Sequence, residues 1–292
     1  MSTMIEESIR KAIREMVGGS KGPPVAFLEP VGDRGLFGPE SMSWEIHADF
    51  MSMMIGGISS LILQALHPGA LGGVWDHSTF REDLKGRLGR TAFFIAATTY
   101  GSVSMAENII AKVNLIHQKV QGVDEFGKFY SATDPHLLAW VHSTETSSFL
   151  SSYLTHKNNN ISTRQEDQYF DEMTLLANKL GAPGLPKTKI ETLHLIRQYR
   201  SELHYGERAR SIVQLLDHFP TSLPTKPFVK LITEAGFANL PDWAFAFIER
   251  KKPSVLQRIA INAAVAMIAK PVRMALKDGV AAHSRRRIDG KS

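Results

Sequence analysis

Cysteine is absent from the 292 residues. That excludes disulfides, cysteine-based zinc sites, iron–sulfur ligation and a thiolate ligand to haem iron. It also accords with a reducing compartment. A secretory signal is lacking too. Glu6 and Glu7 stand where a positively charged segment belongs, and no continuous apolar stretch follows. The expected location is therefore cytoplasmic. Alternating apolar and polar residues bounded by turns are also missing, which argues against a parallel sheet or a dinucleotide-binding unit. No P-loop, G-x-S-x-G elbow, H-E-x-x-H pair or zinc-finger spacing occurs. Glu191 and His194 form a lone E-x-x-H, whereas a di-iron bundle needs such motifs on several helices.

A further absence is informative. From Phe50 to Trp75 there is no Asp, Glu, Lys or Arg. The stretch Trp44–His67 reads as a helix, but Gly56, Gly57, Ser59, Ser60 and Gln64 interrupt it. His67-Pro68-Gly69 then ends it below the roughly 20 apolar residues that span a bilayer. A buried central helix fits better. The Gly56–Gly57 pair would let a second helix or a flat ligand approach the backbone. The following PGALGGVWDHSTF reads as a loop.

What remains is helical. Thr3 with Glu6, Ser162 with Gln165 and Thr188 with Glu191 have the spacing of capping boxes. Asp134-Pro135 is an N-cap followed by proline at the first helical position. Gly18–Ser41 reads as a Gly/Pro-rich arm. A helix begins near Gly86 and breaks at Gly101. A second, over roughly Val103–Val120, carries Ile109, Val113, Ile116 and Val120 as one apolar stripe. Ser254 caps a last helix, ended or kinked before Pro271. The expected fold is all-α, a single multi-helix domain. Residues 1–40 form an N-terminal helix and arm, 41–276 the domain, and 277–292 a basic tail.

The net charge is only +5, and the C-terminal part carries much of the positive charge. No nucleic-acid partner is expected. The amphipathic Val255–Ala275 stretch, with Arg258, Lys270 and Arg273, either packs on the domain or lies on an anionic membrane surface.

The candidate chemistry lies in Gly86–Gly122. Arg87 and Thr91, one turn apart, project from one helix face. His117 lies at the edge of the apolar stripe. If both ends face one pocket, that pocket holds a guanidinium, a hydroxyl and a neutral imidazole in apolar surroundings, which suits haem. The pattern alone equally allows a surface Arg, a Thr bonded back to its own turn and a hydrogen-bonded core histidine. His67, His77 and His142 are further candidates.

The blocks WEIHAD, GGISSLILQALHPGALGGVWDHSTFREDLKGRLGRT, IHQKVQG and YSATDPHLLAWVHSTE together resemble the MpaB/rubber-oxygenase family over about Pro30 to Pro220. The family includes latex-clearing rubber oxygenases and a fungal ER-bound oxygenase. The resemblance implies an all-α domain with a haem-sized internal pocket, one haem b with its iron on His117, and Arg87 and Thr91 near the haem as catalytic residues. It places His67 and His142 in family blocks, as cofactor-binding candidates. It further implies a dioxygen-dependent reaction on a small apolar unsaturated substrate, isoprenoid or lipid-like. The alternative is a non-catalytic haem or lipid binder of the same fold.

Overall fold

The computed structural model describes residue 13 and residues 25–219 and 225–290. The helix start expected at Thr3 and Glu6 lies outside them. After a 3₁₀ turn at Val25–Leu28 come α1 (Met42–His47), α2 (Phe50–Ala65), α3 (Pro68–His77), α4 (Leu84–Tyr100) and α5 (Val103–His117). A small antiparallel hairpin follows, β1 (Gln121–Val123) with β2 (Phe129–Ser131), in which Gly122 faces Tyr130. Then come α6 (Pro135–His156), α7 (Thr163–Lys179), α8 (Lys189–Gln198), a 3₁₀ turn at Tyr199–Glu202, and α9 (Glu207–Asp217). The chain closes with α10 (Lys226–Ala238), α11 (Asp242–Phe247), α12 (Val255–Ala275) and α13 (Val280–Asp289). The fold is all-α, with one two-stranded hairpin among the described residues.

The central helix is α2. Met51, Ile55, Ile58, Ile62 and Leu63 are buried along it, and its main neighbour is α6. Gly56 explains the closeness. A Cβ there would meet the Ser148 carbonyl oxygen and the Phe149 ring at 2.9 Å, so only glycine lets the two backbones approach. A second helix, not a flat ligand, occupies that face. The start of α2 is fixed by Asp49, which accepts from Ser52 N at 3.0 Å and pairs with Arg273 of α12 at 2.6 Å. Burial alone would raise the Asp49 pKa, but Arg273 and the Ser52 bonds hold it below the usual carboxylate range.

Two apolar clusters result. One joins α2, α9, α10, α11 and α12 around Trp140 of α6. The other lies among α1, α5, α6 and α7, where Ile46, Ile110, Phe149, Tyr169 and Met173 pack with Met53, Phe94 and Ile95.

Several local expectations change. Trp44–His67 is two helices, because Asp49 starts a new N-cap. The stretch after His67 is the helix α3. Its Pro68 sits at the start, and Pro68, Gly69, Leu71 and Gly72 are buried, so packing against β2 outweighs the loop propensity of its glycines. The helix α5 ends at His117 rather than Val120. In α12 the helix continues through Pro271 to Ala275. Pro271 is exposed there, and the carbonyl it leaves unpaired belongs to Met267, which is 77% exposed, so water can satisfy it. The C-terminal stretch contains α13, whose buried Arg287 donates to the carbonyls of Asp33, Phe27 and Gly101 at 2.9–3.2 Å. Residues 280–289 thus dock beside the connection between α4 and α5.

Candidate functional site

The connection at Gly101–Ser102 is two residues long, and α4 and α5 pack against each other. Arg87 near the start of α4 and His117 at the end of α5 each lie about four turns from that connection. Each therefore sits at the end of its helix farther from the connection. His117 is half-buried, and its Nδ1 is buried with no hydrogen-bond partner among the described residues. Burial lowers its pKa, so the imidazole is neutral at pH 7. Arg87 is half-buried as well. Burial, then repulsion from Arg90, lowers its pKa, and it has no ion pair among the described residues. An unpaired, desolvated guanidinium suits a carboxylate from outside the chain. Thr91 is exposed, and its hydroxyl donates to the Arg87 carbonyl at 3.2 Å.

Deeper, behind α1 and between α6 and α7, lies a polar chain in apolar walls. His47 Nδ1 is 2.9 Å from Thr99 Oγ1, and its Nε2 is 2.9 Å from the Tyr169 hydroxyl. Burial, with His142 nearby, pushes the His47 pKa down to about 3. His142 is pushed down to about 4 by burial. Glu145 is pushed up to about 7 by burial alone and has no hydrogen bond or ion pair among the described residues. Tyr169 is raised well above its ordinary value, first by burial and then by Glu145. His142 and Glu145 are three apart and share a helix face with buried Phe149. Both keep intermediate exposure although their charged forms are strongly desolvated.

His67 is elsewhere. It ends the link from α2 to α3, is 5% exposed, and packs near His136, Trp140 and Tyr199 with ring centroids 6.3 Å away. Its Nε2 is 3.5 Å from Glu202 Oε2, and His136 Nε2 is 2.9 Å from the same oxygen. The three ligand atoms lie within 4.8 Å of one another, a donor set that could hold a metal. His77 donates to, or is bonded by, nothing in either group; its Nε2 meets the Gln121 carbonyl at 3.0 Å.

The residues singled out by sequence are thus scattered, with His77 apart from the rest at the end of α3. Arg87 and His117 lie at the ends of α4 and α5 away from their connection, with Thr91 exposed. His142 lies in the interior, and His67 lies at the start of α3. Sequence reasoning passed over His47, Glu145, His136 and Glu202. For Glu145 a signal existed: the H-x-x-E spacing at His142 and Glu145, the reverse of the E-x-x-H order.

The family model described as the ER-bound oxygenase mpaB/B′/rubber oxygenase catalytic domain matches residues 44–286. The chain belongs to that family. No curated protein and no solved structure matches it. The MpaB/rubber-oxygenase match covers α1 to α13 almost whole, so Arg87, His117, the polar interior and the His67 group all lie inside the matched domain. The family is one of oxygenases, which supports a general oxygenase role for the chain.

Proposed function

We propose that the protein is a haem b-dependent oxygenase acting with dioxygen on an apolar unsaturated substrate, isoprenoid or lipid-like. The observation that carries this reading is His117, a neutral imidazole whose buried Nδ1 has no partner among the described residues, on the helix next to that of Arg87, a desolvated guanidinium with no ion pair among them. Those donors fit haem. His117 would hold the iron, Arg87 a propionate, and haem b would supply dioxygen activation. The other work falls to the chain. Arg87 offers positive charge where negative charge develops. Thr91 is the second contact we assign to the cofactor, once its hydroxyl leaves the Arg87 carbonyl. His142 and the apolar Phe94, Ile95 and Met53 wall the interior and keep water out. The Glu145 carboxyl, near pH 7 about half protonated, can hold or release a proton there.

An absorption spectrum of the purified or haem-reconstituted protein tests the reading. A Soret band is expected, and His117→Ala should remove or displace it. An unchanged spectrum in that variant defeats the ligand assignment. If ferrous haem binds but no polyprenyl or unsaturated lipid drives oxygen uptake, the protein is a haem or lipid binder instead.

The second part of the reading concerns location, in the cytoplasm at a membrane surface. Among the described residues, α12 is long and apolar enough to cross a membrane, with mean hydropathy 1.3 and 17% of its apolar window buried. Val255, Leu256, Ile259 and Met267 are 59–78% exposed, beside exposed Lys251, Lys252 and Lys270. That face suits peripheral contact with an anionic bilayer. Flotation with anionic liposomes checks it, and protein that stays at the bottom of the gradient ends the idea.

A further inference from the structure

We infer that His67, His136 and Glu202 form a binding site for a divalent cation of the zinc class, separate from the proposed haem ligand. The decisive group is His67. Its side chain is 7% exposed, and neither ring nitrogen has a hydrogen-bond partner among the described residues. Proteins rarely bury a polar ring whose best contact is one long approach to a carboxylate, here Glu202 at 3.5 Å. A metal on Nε2 gives that nitrogen a partner.

The spacing agrees. Ligand atoms on a tetrahedral zinc, at the usual bond lengths, stand about 3.3 Å apart. Here the Glu202 oxygen is 3.5 Å from His67 Nε2 and 2.9 Å from His136 Nε2. Small side-chain adjustments complete the set. The supports are already in place. The His136 ring stacks on Tyr199 with centroids 4.4 Å apart, and the Tyr199 hydroxyl donates to the His136 carbonyl at 2.8 Å. Proline at position 68 starts α3 and fixes the backbone beside His67. The site is graded from inside to outside: the His67 side chain is enclosed, Glu202 is 32% exposed and His136 51%. An ion can enter from solvent, and water can take the fourth position.

Two imidazoles and one carboxylate suit zinc, cobalt or nickel better than magnesium or calcium, which prefer all-oxygen sites. The three ligands come from the link between α2 and α3, the first turn of α6 and the 3₁₀ turn after α8. A bound ion would therefore tie together segments far apart in the chain. Metal binding only the folded state raises its thermal midpoint.

The test uses the full chain, stripped with chelator and titrated with zinc chloride by calorimetry, with cobalt as a visible probe. Wild type should bind one ion per chain, show a ligand-field band with cobalt and melt higher with zinc. Glu202→Gln and His136→Gln, at the more open positions, should weaken affinity tenfold or more and lose the thermal shift while melting normally without metal. The haem spectrum, if present, should be unchanged in both, which keeps this result apart from that of His117. No stoichiometric zinc in wild type, or equal affinity in a variant that lacks both open ligands, would overturn the assignment.

Discussion

Helix α6 brings a histidine near a carboxylate in two places, one across to Glu202 and one along its own face at Glu145, and the two behave oppositely. At its first turn, His136 meets Glu202 at 2.9 Å within reach of solvent. Burial raises the Glu202 pKa, but the hydrogen bond and charge of His136, helped by His67, more than offset it, so the carboxylate stays anionic. Two turns further on, His142 and Glu145 lie among α1, α2 and α7 with no cation among the described residues to answer the acid, and Glu145 is pushed up to about 7. The same residue types give an anion ready for a cation at one place and a proton-holding group at the other. What separates them is desolvation without a partner.

The most forceful way to break this contrast is to open the interior. Gly56→Val pushes a side chain into the Ser148 carbonyl and Phe149 ring. It should cost roughly 3 kcal/mol, read as a lower urea midpoint. A value near zero would mean that α2 and α6 can separate freely and that the interior is not sealed. The next effect is electrostatic. Glu145 has a folded pKa of about 7 against an ordinary 4.5, so the folded state binds the extra proton between those values. Its contribution therefore falls as pH rises from 4.5 to 7, by on the order of 2 kcal/mol after allowing for its partial exposure. His142 has the opposite sign. Its folded pKa of about 4 lies below 6.5, so its contribution is lost as pH falls from 6.5 to 4. The two oppose each other in wild type. Glu145→Gln should become relatively more stable above pH 7, and His142→Asn relatively more stable near pH 4.5. Parallel stability curves for all three proteins would show that neither group is desolvated.

The sequence made the helical class plain because its signals are local. Ser162 with Gln165 forms a complete capping box, and Asp134-Pro135 starts α6 as its spacing requires. The glycines of α3 concealed a helix, since only Tyr130, Leu137 and the other tertiary neighbours stabilise it. The β1–β2 hairpin has three residues per strand, too short for alternation to register. The candidate site divides in the same way. Arg87 and His117 lie on consecutive helices joined by two residues, a connection that Gly101 announces in the sequence. The pairing of His136 with Glu202 spans 66 residues and exists only after α6 and α8 dock. The loss of charge on Glu145 depends on which helices surround it, a property no spacing records.

Smaller effects sharpen the outer half of the contrast. In metal-free protein the bond between His136 and Glu202 is partly exposed, so Glu202→Gln should change stability by less than about 1 kcal/mol. A larger loss would make that carboxylate a structural anchor rather than a waiting ligand. Thr91 should matter least to the fold. It is exposed, and its hydroxyl only returns to the Arg87 carbonyl within its own helix, a bond that water replaces readily. Thr91→Val should shift stability by no more than about 0.5 kcal/mol. The same variant then becomes a clean probe of chemistry. A change in oxygen uptake or in the haem spectrum without a change in melting would give Thr91 its role beside the cofactor. Unchanged behaviour on both counts would leave Arg87 to carry the electrostatic work alone.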